Sequence, residues 1–576
     1  MTNTIYTVIT FAPVQGFIEK SRKLRDLYGS SYLLSYLSWV ICTAVEKHGC
    51  KVISPATPNI TQGMPNQIII KGDFPEENAK LVFLTAWKCV TETCREWIED
   101  NANGELVTDN DKGEWKYTFW KRSWDLWTKY AWEFFWVQGT SDISDVREKL
   151  NEKKRPRDWT GINWQGESST LSGVDAIAYP KLGQISAPRN YNYQDEKKSV
   201  TVFYQILSKK LGESFIDPKE ELSIPELIKR MITYESVSLK LIERLRTVFG
   251  RNHLNIEELI KEIAQISKDL KPSSFKDLNR HKEDNQAENQ TQPDRGFQGW
   301  FQGDGDKAGD YLKKYPEKTH AFSKKMRNWG KWFKNRPFRM GRVIYAGGDD
   351  FLGVFYDKDD SEEKLEPRYC VNWLSDFKSK IWHENKTSED EQKEITVSVG
   401  FVWAFPGIPQ RDVLQHCRLA EKSAKNNGRD RIAFRILFNN GNHLEWVCPW
   451  WLLEAGLLSS YRDRDKNESK SKQNWTHIYN DVAVLESRHA FDDDGLGVAL
   501  GLLEIYFPEY VDKIQDKKKQ LHQTEADLTK TDSGILGECK IYYKENSQEL
   551  DENKVNKALT SWIINLAKVG FHLCQQ

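Results

Sequence analysis

Asp349 and Asp350 are adjacent carboxylates, and Gly347 and Gly348 stand directly before them. Neighbouring aspartates repel each other, and a divalent cation or water usually offsets that cost. Glycines leave the backbone bare and permit positive φ, so a bulky anion such as a triphosphate can come close. The tetrapeptide lies between two β-prone runs, 343–345 and 351–355, and predicts a hairpin with two carboxylates at its tip. Upstream, 304–309 reads Asp-Gly-Asp-Lys-Ala-Gly. In a βαββαβ palm the end of the first strand lies beside the hairpin joining the second and third, so Asp304 is expected to face Asp349 and Asp350. Three carboxylates and the Gly305 carbonyl are hard oxygen ligands suited to Mg2+ or Mn2+. Two-metal nucleotidyl transfer needs such groups converging on two cations about 4 Å apart. Lys425 and Arg429, at the end of the next helix, could bring positive charge to a triphosphate. The same two residues also suit an ordinary helix C-terminus capped by Gly428, and a lone Gly-Gly-Asp-Asp also suits a solvated acidic turn.

The elements that must position these groups follow from periodicity. Residues 4–11 alternate β-branched and aromatic side chains and predict a strand, broken at 12–16. An amphipathic helix is expected from Phe17, running through Gly29-Ser30-Ser31 to Leu37. Ser30 and Ser31 suit either close helix packing or a pocket wall. A turn followed by a strand over 62–70, a helix at about 75–102 and a strand at 134–137 complete a ferredoxin-like α/β unit. Trp115, Trp120, Trp124, Trp127 and Trp132 fall mostly along one helical face and read as core or interface. Residues 139–200 read as loop, 222–271 as helix, and the polar stretch 279–295 as a flexible linker. A second α/β unit contains the hairpin, a charged helix near 361–383, a strand at 395–403, a helix at 411–425 and a short strand at 431–434; from about 445 the chain reads as helical. The expected fold is α+β, with two ferredoxin-like palm domains alternating with two mainly helical ones. The boundaries are 1–140, 141–290, 291–440 and 441–576.

The chain has 576 residues, enough for several domains, and a formal net charge of -1 with 29% charged residues. Any RNA contact must therefore be local or delegated to partners. The nine cysteines form no C-x2-C pair and read as reduced structural thiols, which fits a cytoplasmic protein. No window approaches the roughly 20 apolar residues of a membrane span, and the N-terminus lacks a signal-peptide pattern. The 22 tryptophans imply well-filled cores or broad subunit interfaces.

The ordered set DGDKAG at 304–309, YAGGDDFL at 345–352, VSVGF at 397–401 and AKNNGRDRIAF at 424–434 resembles the nucleotide-cyclase palm. With FAPVQGFIEKSRKLRDLYGSSYLLSYLS at 11–38 and GMPNQIII at 63–70, the chain is similar to the large polymerase-like subunit of type III CRISPR effector complexes, in the module-RAMP (subtype III-B) form. The resemblance implies that Asp304, Asp349 and Asp350 ligate two Mg2+ or Mn2+ ions. It implies triphosphate contacts near Gly305, Gly347, Gly348, Lys425 and Arg429, and a second nucleotide near Ser30 and Ser31. The implied activity is synthesis of cyclic oligoadenylate from ATP, switched on by target RNA. The implied partners are guide RNA, target RNA, a small helical subunit, a guide-capping subunit and backbone subunits, with no membrane. Relatives often carry an N-terminal histidine-aspartate nuclease and a zinc-binding cysteine cluster. Here the first palm starts at residue 5, no His-Asp dipeptide occurs, and 166–177 has serines where cysteines are expected. Neither nuclease activity nor structural zinc is therefore expected. Three alternatives stay open: conjugation of ATP to another acceptor such as S-adenosylmethionine, a non-catalytic scaffold of the same complex, and a stand-alone cyclase, against which the length and the two palms count.

Overall fold

The computed structural model describes residues 4–21, 23–102, 117–140, 142–156, 161–164, 166–182, 188–190, 192–253, 256–269, 297–357, 364–383, 395–464, 474–492, 495–521, 533–545 and 547–575. The linker expected at 279–295 and Trp115 lie outside them. The chain forms two compact units. One comprises 1–276 with 312–331 and 345–348; the other comprises 277–311, 332–344 and 349–576.

The first unit is built on β1 (Tyr6–Ala12), α1 (Val14–Glu19), α2 (Leu24–Lys47), β2 (Lys51–Ser54), β3 (Ile68–Lys71), α3 (Glu76–Ala102), α4 (Thr118–Tyr130) and β4 (Glu133–Gly139). Its sheet runs β2-β3-β1-β4, the ferredoxin-like order, with β1 antiparallel to both β3 and β4. One face of the sheet, with Ile9, Phe11, Ile68 and Ile70, packs on α2 and α3. The other face, with Val8, Ile69, Phe135 and Val137, is covered by Ile143, Val146 and Leu150 of α5 (Ile143–Lys153). Burial on both faces explains why β1 reads as a nearly continuous apolar run.

Three expectations need correction in this unit. The single helix from Phe17 to Leu37 is two helices, because the chain turns extended at Lys23, whose N–H donates to the Asp26 carboxylate at 2.9 Å. The small-residue patch 29–31 therefore sits within the first two turns of α2. Strand β2, only four residues long, gave too little periodicity to register. Residues 139–200 are not all loop: Asp142 caps α5 through the Asp145 N–H at 2.9 Å, and Asn192 caps α6 (Tyr193–Leu211) through the Gln194 N–H at 3.1 Å. Dense charges along α5 masked an apolar stripe at helical spacing. The helical remainder is α7 (Ile224–Met231), α8 (Glu235–His253) and α9 (Ile256–Asp269). Trp120 and Trp124 are buried in the core, and Trp132, just past α4, packs edge-on against Phe11 and Trp87.

The second palm comprises β5 (Gln298–Gly305), α10 (Ala308–Lys314), α11 (Thr319–Asn335), β6 (Gly341–Ala346), β7 (Asp350–Phe355), α12 (Pro367–Ser375), β8 (Val397–Ala404), α13 (Gln410–Asn426), β9 (Arg431–Leu437) and β10 (His443–Pro449). A π-helical turn at Phe377–Trp382 continues α12, where one charged helix was expected over 361–383. The sheet order is β10-β9-β8-β5-β7-β6, so β8-β5-β7-β6 repeats the ferredoxin-like order and β9 and β10 extend it. Strand β9 runs parallel to β8, joined by α13 as crossover. Strand β10 corrects the expectation of helix from 445: Trp446 and Cys448 point inward two residues apart, the period of a strand. Phe301, Phe333, Phe338, Phe351, Phe355 and Trp373 fill the space over β5 and β7. The C-terminal part is α14 (Trp450–Glu454), α15 (Thr476–Ser487), α16 (Leu496–Tyr506), α17 (Val511–Gln515), α18 (Lys517–Gln520) and α19 (Glu552–Cys574). The last of these docks on β10, with Trp562 Nε1–H donating to the Val447 carbonyl at 2.7 Å. Among the described residues no helix is long and apolar enough to cross a membrane, and all nine cysteines are free.

Candidate active site

Strand β5 ends at the carboxylates. In the antiparallel register Asp304 of β5 stands opposite Asp350, the first residue of β7, and opposite Ser398 of β8 on its other side. The Gly305 N–H donates to the Asp349 carbonyl at 3.0 Å, which holds the turn down on the strand end. A Cβ on Gly305 would lie 2.6 Å from the Ile395 Cδ1 and 3.0 Å from the Asp349 Cβ, so a side chain there would crowd the turn. Nothing lies within 4 Å of where a Cβ on Gly348 would be, leaving that side of the turn open.

The three acids share one electrostatic field. Burial, followed by the charges of Asp304 and Asp350, pushes the Asp349 carboxyl up to about 8. A cation is already drawn in: the Lys425 ammonium, near the end of α13, bonds to the Asp304 carboxylate and to Glu421 at 2.7 Å. Burial would lower the Lys425 pKa, but Asp304 and Glu421 outweigh it and raise it. Glu421 is itself raised by burial, against the pull of Lys425, and accepts from Gln302 Nε2 at 2.8 Å. Sequence reasoning passed over Glu421; its signal is the i,i+4 spacing to Lys425.

Asp306 has a different task from Asp304. It is 2% exposed and accepts from Thr396 at 2.9 Å, Ser398 at 2.6 Å and the Asp430 N–H at 3.0 Å. One carboxylate thus ties the end of β5 to β8 and to the turn after α13. Burial raises its pKa in spite of these bonds. Asp430, left-handed at φ 52°, pairs with buried Lys378 at 2.7 Å and is pushed by burial to about 6. Arg429, also left-handed at φ 61°, extends to Glu538 at 3.9 Å. Lys425 therefore joins the carboxylates, and the Arg429 guanidinium pairs elsewhere.

Ser30 and Ser31 separate as well. Ser30 is wholly buried and donates to the Asp26 carbonyl at 2.7 Å, a helix-packing role rather than a pocket wall. Ser31 is half-buried, and a Cβ on Gly63 would sit 3.5 Å from its Oγ and 3.6 Å from the Gly347 Cα. Ser31, Gly63 and the first glycine of the turn therefore cluster together. At the serine-rich stretch, Ser169 and Ser172 pair at 3.2 Å and Ser169 donates to Glu226 at 3.2 Å.

Asp349, lifted by burial and then by the charges of Asp304 and Asp350, sits among hard oxygen donors that fit a divalent cation, which would relieve the repulsive part. They are not gathered into a finished cage: among the described residues no group of three or more His, Cys, Asp or Glu side chains is arranged to hold a metal.

A βαββαβ sheet with an aspartate near the end of its first strand, beside an acidic hairpin, has the architecture of a palm domain. Residues 297–433 match the family model for the second palm domain of Cas10/Cmr2, and residues 6–78 match that for the N-terminal region of CRISPR-associated protein Cmr2. The two matches, in this order, support a Cas10/Cmr2-type subunit. No curated protein matches the chain. Among solved structures, a chain of the type III-B Cmr-beta complex in its apo state is similar at 13% identity, over 98% of this chain and 82% of that one, with a TM-score of 0.43. A chain of the Csm1-Csm4 cassette in complex with cA4 is similar at 13% identity, over 100% and 70%, with a TM-score of 0.43.

Proposed function

We propose that this subunit joins ATP molecules into a cyclic oligoadenylate within an RNA-guided type III effector complex, when target RNA pairs with the guide. The observation that carries this reading is the register that sets Asp304 against Asp350, with Asp349 beside them. A scaffold has no use for three repelling acids at one strand end. Asp304, Asp349 and Asp350 would hold Mg2+ or Mn2+, which when bound supplies Lewis-acid activation of the attacking hydroxyl and of the triphosphate. Gly348, with nothing within 4 Å of a Cβ there, would leave room for the phosphates beside Gly347. Lys425, paired with Asp304 and Glu421 beside the turn, would bring its charge towards the triphosphate. Ser31, which clusters with Gly63 and Gly347, would meet the second nucleotide. Guide RNA, target RNA and the neighbouring subunits are partners that the family matches support.

The test incubates the assembled complex with target RNA, Mg2+ or Mn2+ and ATP, with and without S-adenosylmethionine, and identifies products by mass. Cyclic oligoadenylate is expected, absent with Asp349→Ala/Asp350→Ala. Product from that double variant overturns the site, and an S-adenosylmethionine adduct redirects the acceptor.

A further inference from the structure

Arg327 on α11 is 2% exposed. A buried guanidinium usually pairs with a carboxylate, yet among the described residues Arg327 makes no ion pair and bonds only to backbone carbonyls. Its Nε donates to Thr57 at 3.2 Å and its Nη2 to Asn59 at 3.4 Å. Its Nη1 donates to Gly63 and, at 3.0 Å, to Gly347. Three of these carbonyls belong to the loop 57–63 and the fourth to the first glycine of the Gly-Gly-Asp-Asp turn. Other contacts join the same parts. The Ala346 N–H donates to the Gln62 carbonyl at 3.3 Å, and Glu262 of α9 accepts from the Ile60 N–H at 2.6 Å and from Asn59 Nδ2 at 3.0 Å. One turn beyond Arg327, a Cβ on Gly330 would lie 2.4 Å from the Ala346 carbonyl oxygen, so α11 runs hard against the strand that enters the turn.

We propose that Arg327 is a positioning residue for the nucleotidyl transfer proposed above. By tying Gly347 to loop 57–63, it fixes the backbone from which Asp349 and Asp350 project and holds the Ser31–Gly63 cluster beside it. The inference rests on that reading of the site. The rigid fork of a guanidinium can serve four carbonyls from one side chain, which a lysine ammonium cannot. Burial lowers the Arg327 pKa to about 10, so the fork stays charged at neutral pH.

The test compares Arg327→Met and Arg327→Lys with wild type by two readouts. In the assembled complex with target RNA, Arg327→Met is expected to lower kcat on the order of tenfold to a hundredfold, as for misplaced reacting groups. KM for ATP should change little, and Arg327→Lys should restore part of kcat. In the full chain alone, amide hydrogen exchange should quicken in both 57–64 and 345–350 while β8 and β9 stay protected. Wild-type kcat in a complex that Asp349→Ala/Asp350→Ala inactivates overturns the proposal, as does unchanged exchange in the two segments. If that double variant stays active, the nucleotidyl-transfer reading fails, and exchange alone judges the clamp. Where Arg327→Met does not fold, Arg327→Lys carries both readouts.

Discussion

Asp349 is raised by burial and by its acidic neighbours, and its titration makes a sign-definite prediction. An unfolded aspartate titrates near 3.9, whereas the folded one is raised to about 8 by burial and by Asp304 and Asp350. Between those values the folded state holds the extra proton, so this group favours folding most below about pH 4 and stability falls as pH rises towards 8. Melting curves of the metal-free protein should therefore show a fall over that window that Asp349→Asn flattens. At pH 8, Mg2+ should raise the melting temperature of wild type and leave Asp349→Ala/Asp350→Ala unmoved. That double variant should melt no lower than wild type without metal, since it removes a repulsion; a large loss would mean the turn is structural. Lys425→Met should abolish most product formation while costing only about 1 kcal/mol of stability, because its ion pair with Asp304 is partly exposed.

Among the elements, α13 and β8 are pressed together at one residue. A Cβ on Gly400 would stand 2.2 Å from the Glu421 amide nitrogen and 2.5 Å from the Cys417 carbonyl oxygen. Gly400→Ala must push the helix away, at about 1–3 kcal/mol for overpacking. Because that helix carries Glu421 and Lys425, activity should fall with stability, as denaturant titration and product assays would show. A relieved Gly400→Ala that kept full activity would break the link between helix seat and site.

At the scale of a whole unit, the first unit is pinned by a buried charge network as well as by its apolar core. Arg230, fully buried, bonds to Asp26 at 2.7 Å and also reaches Glu220 and the Phe215 carbonyl. Asp26→Ala would strand that guanidinium without its main partner, at about 3–5 kcal/mol. The expected outcome is a marked fall in the urea midpoint. This network joins α2 to α7 across 204 positions of sequence, a distance over which no local pattern in the chain could announce it.

How much was legible follows from the reach of each signal. The hairpin, the strands around it and α13 were visible because period-2 and period-3.6 patterns, glycines and acid pairs act over a few residues. Asp304, Asp349 and Asp350 could be put together from sequence because the βαββαβ order itself dictates which strand ends meet. Four-residue β2, charge-masked α5 and late β10 were missed, since each is stabilised by packing that sequence does not display. Lys425 and Arg429 were alike on the chain. Folding parted them, as an i,i+4 partner drew Lys425 to the acids and left-handed backbone turned Arg429 to Glu538. Ser30 and Ser31 were parted by one residue of helical rotation, about 100°, which buries one hydroxyl and leaves the other beside Gly63. Arg327, on a helix that carried no motif, gained its place only when four carbonyls from two distant segments were folded around it.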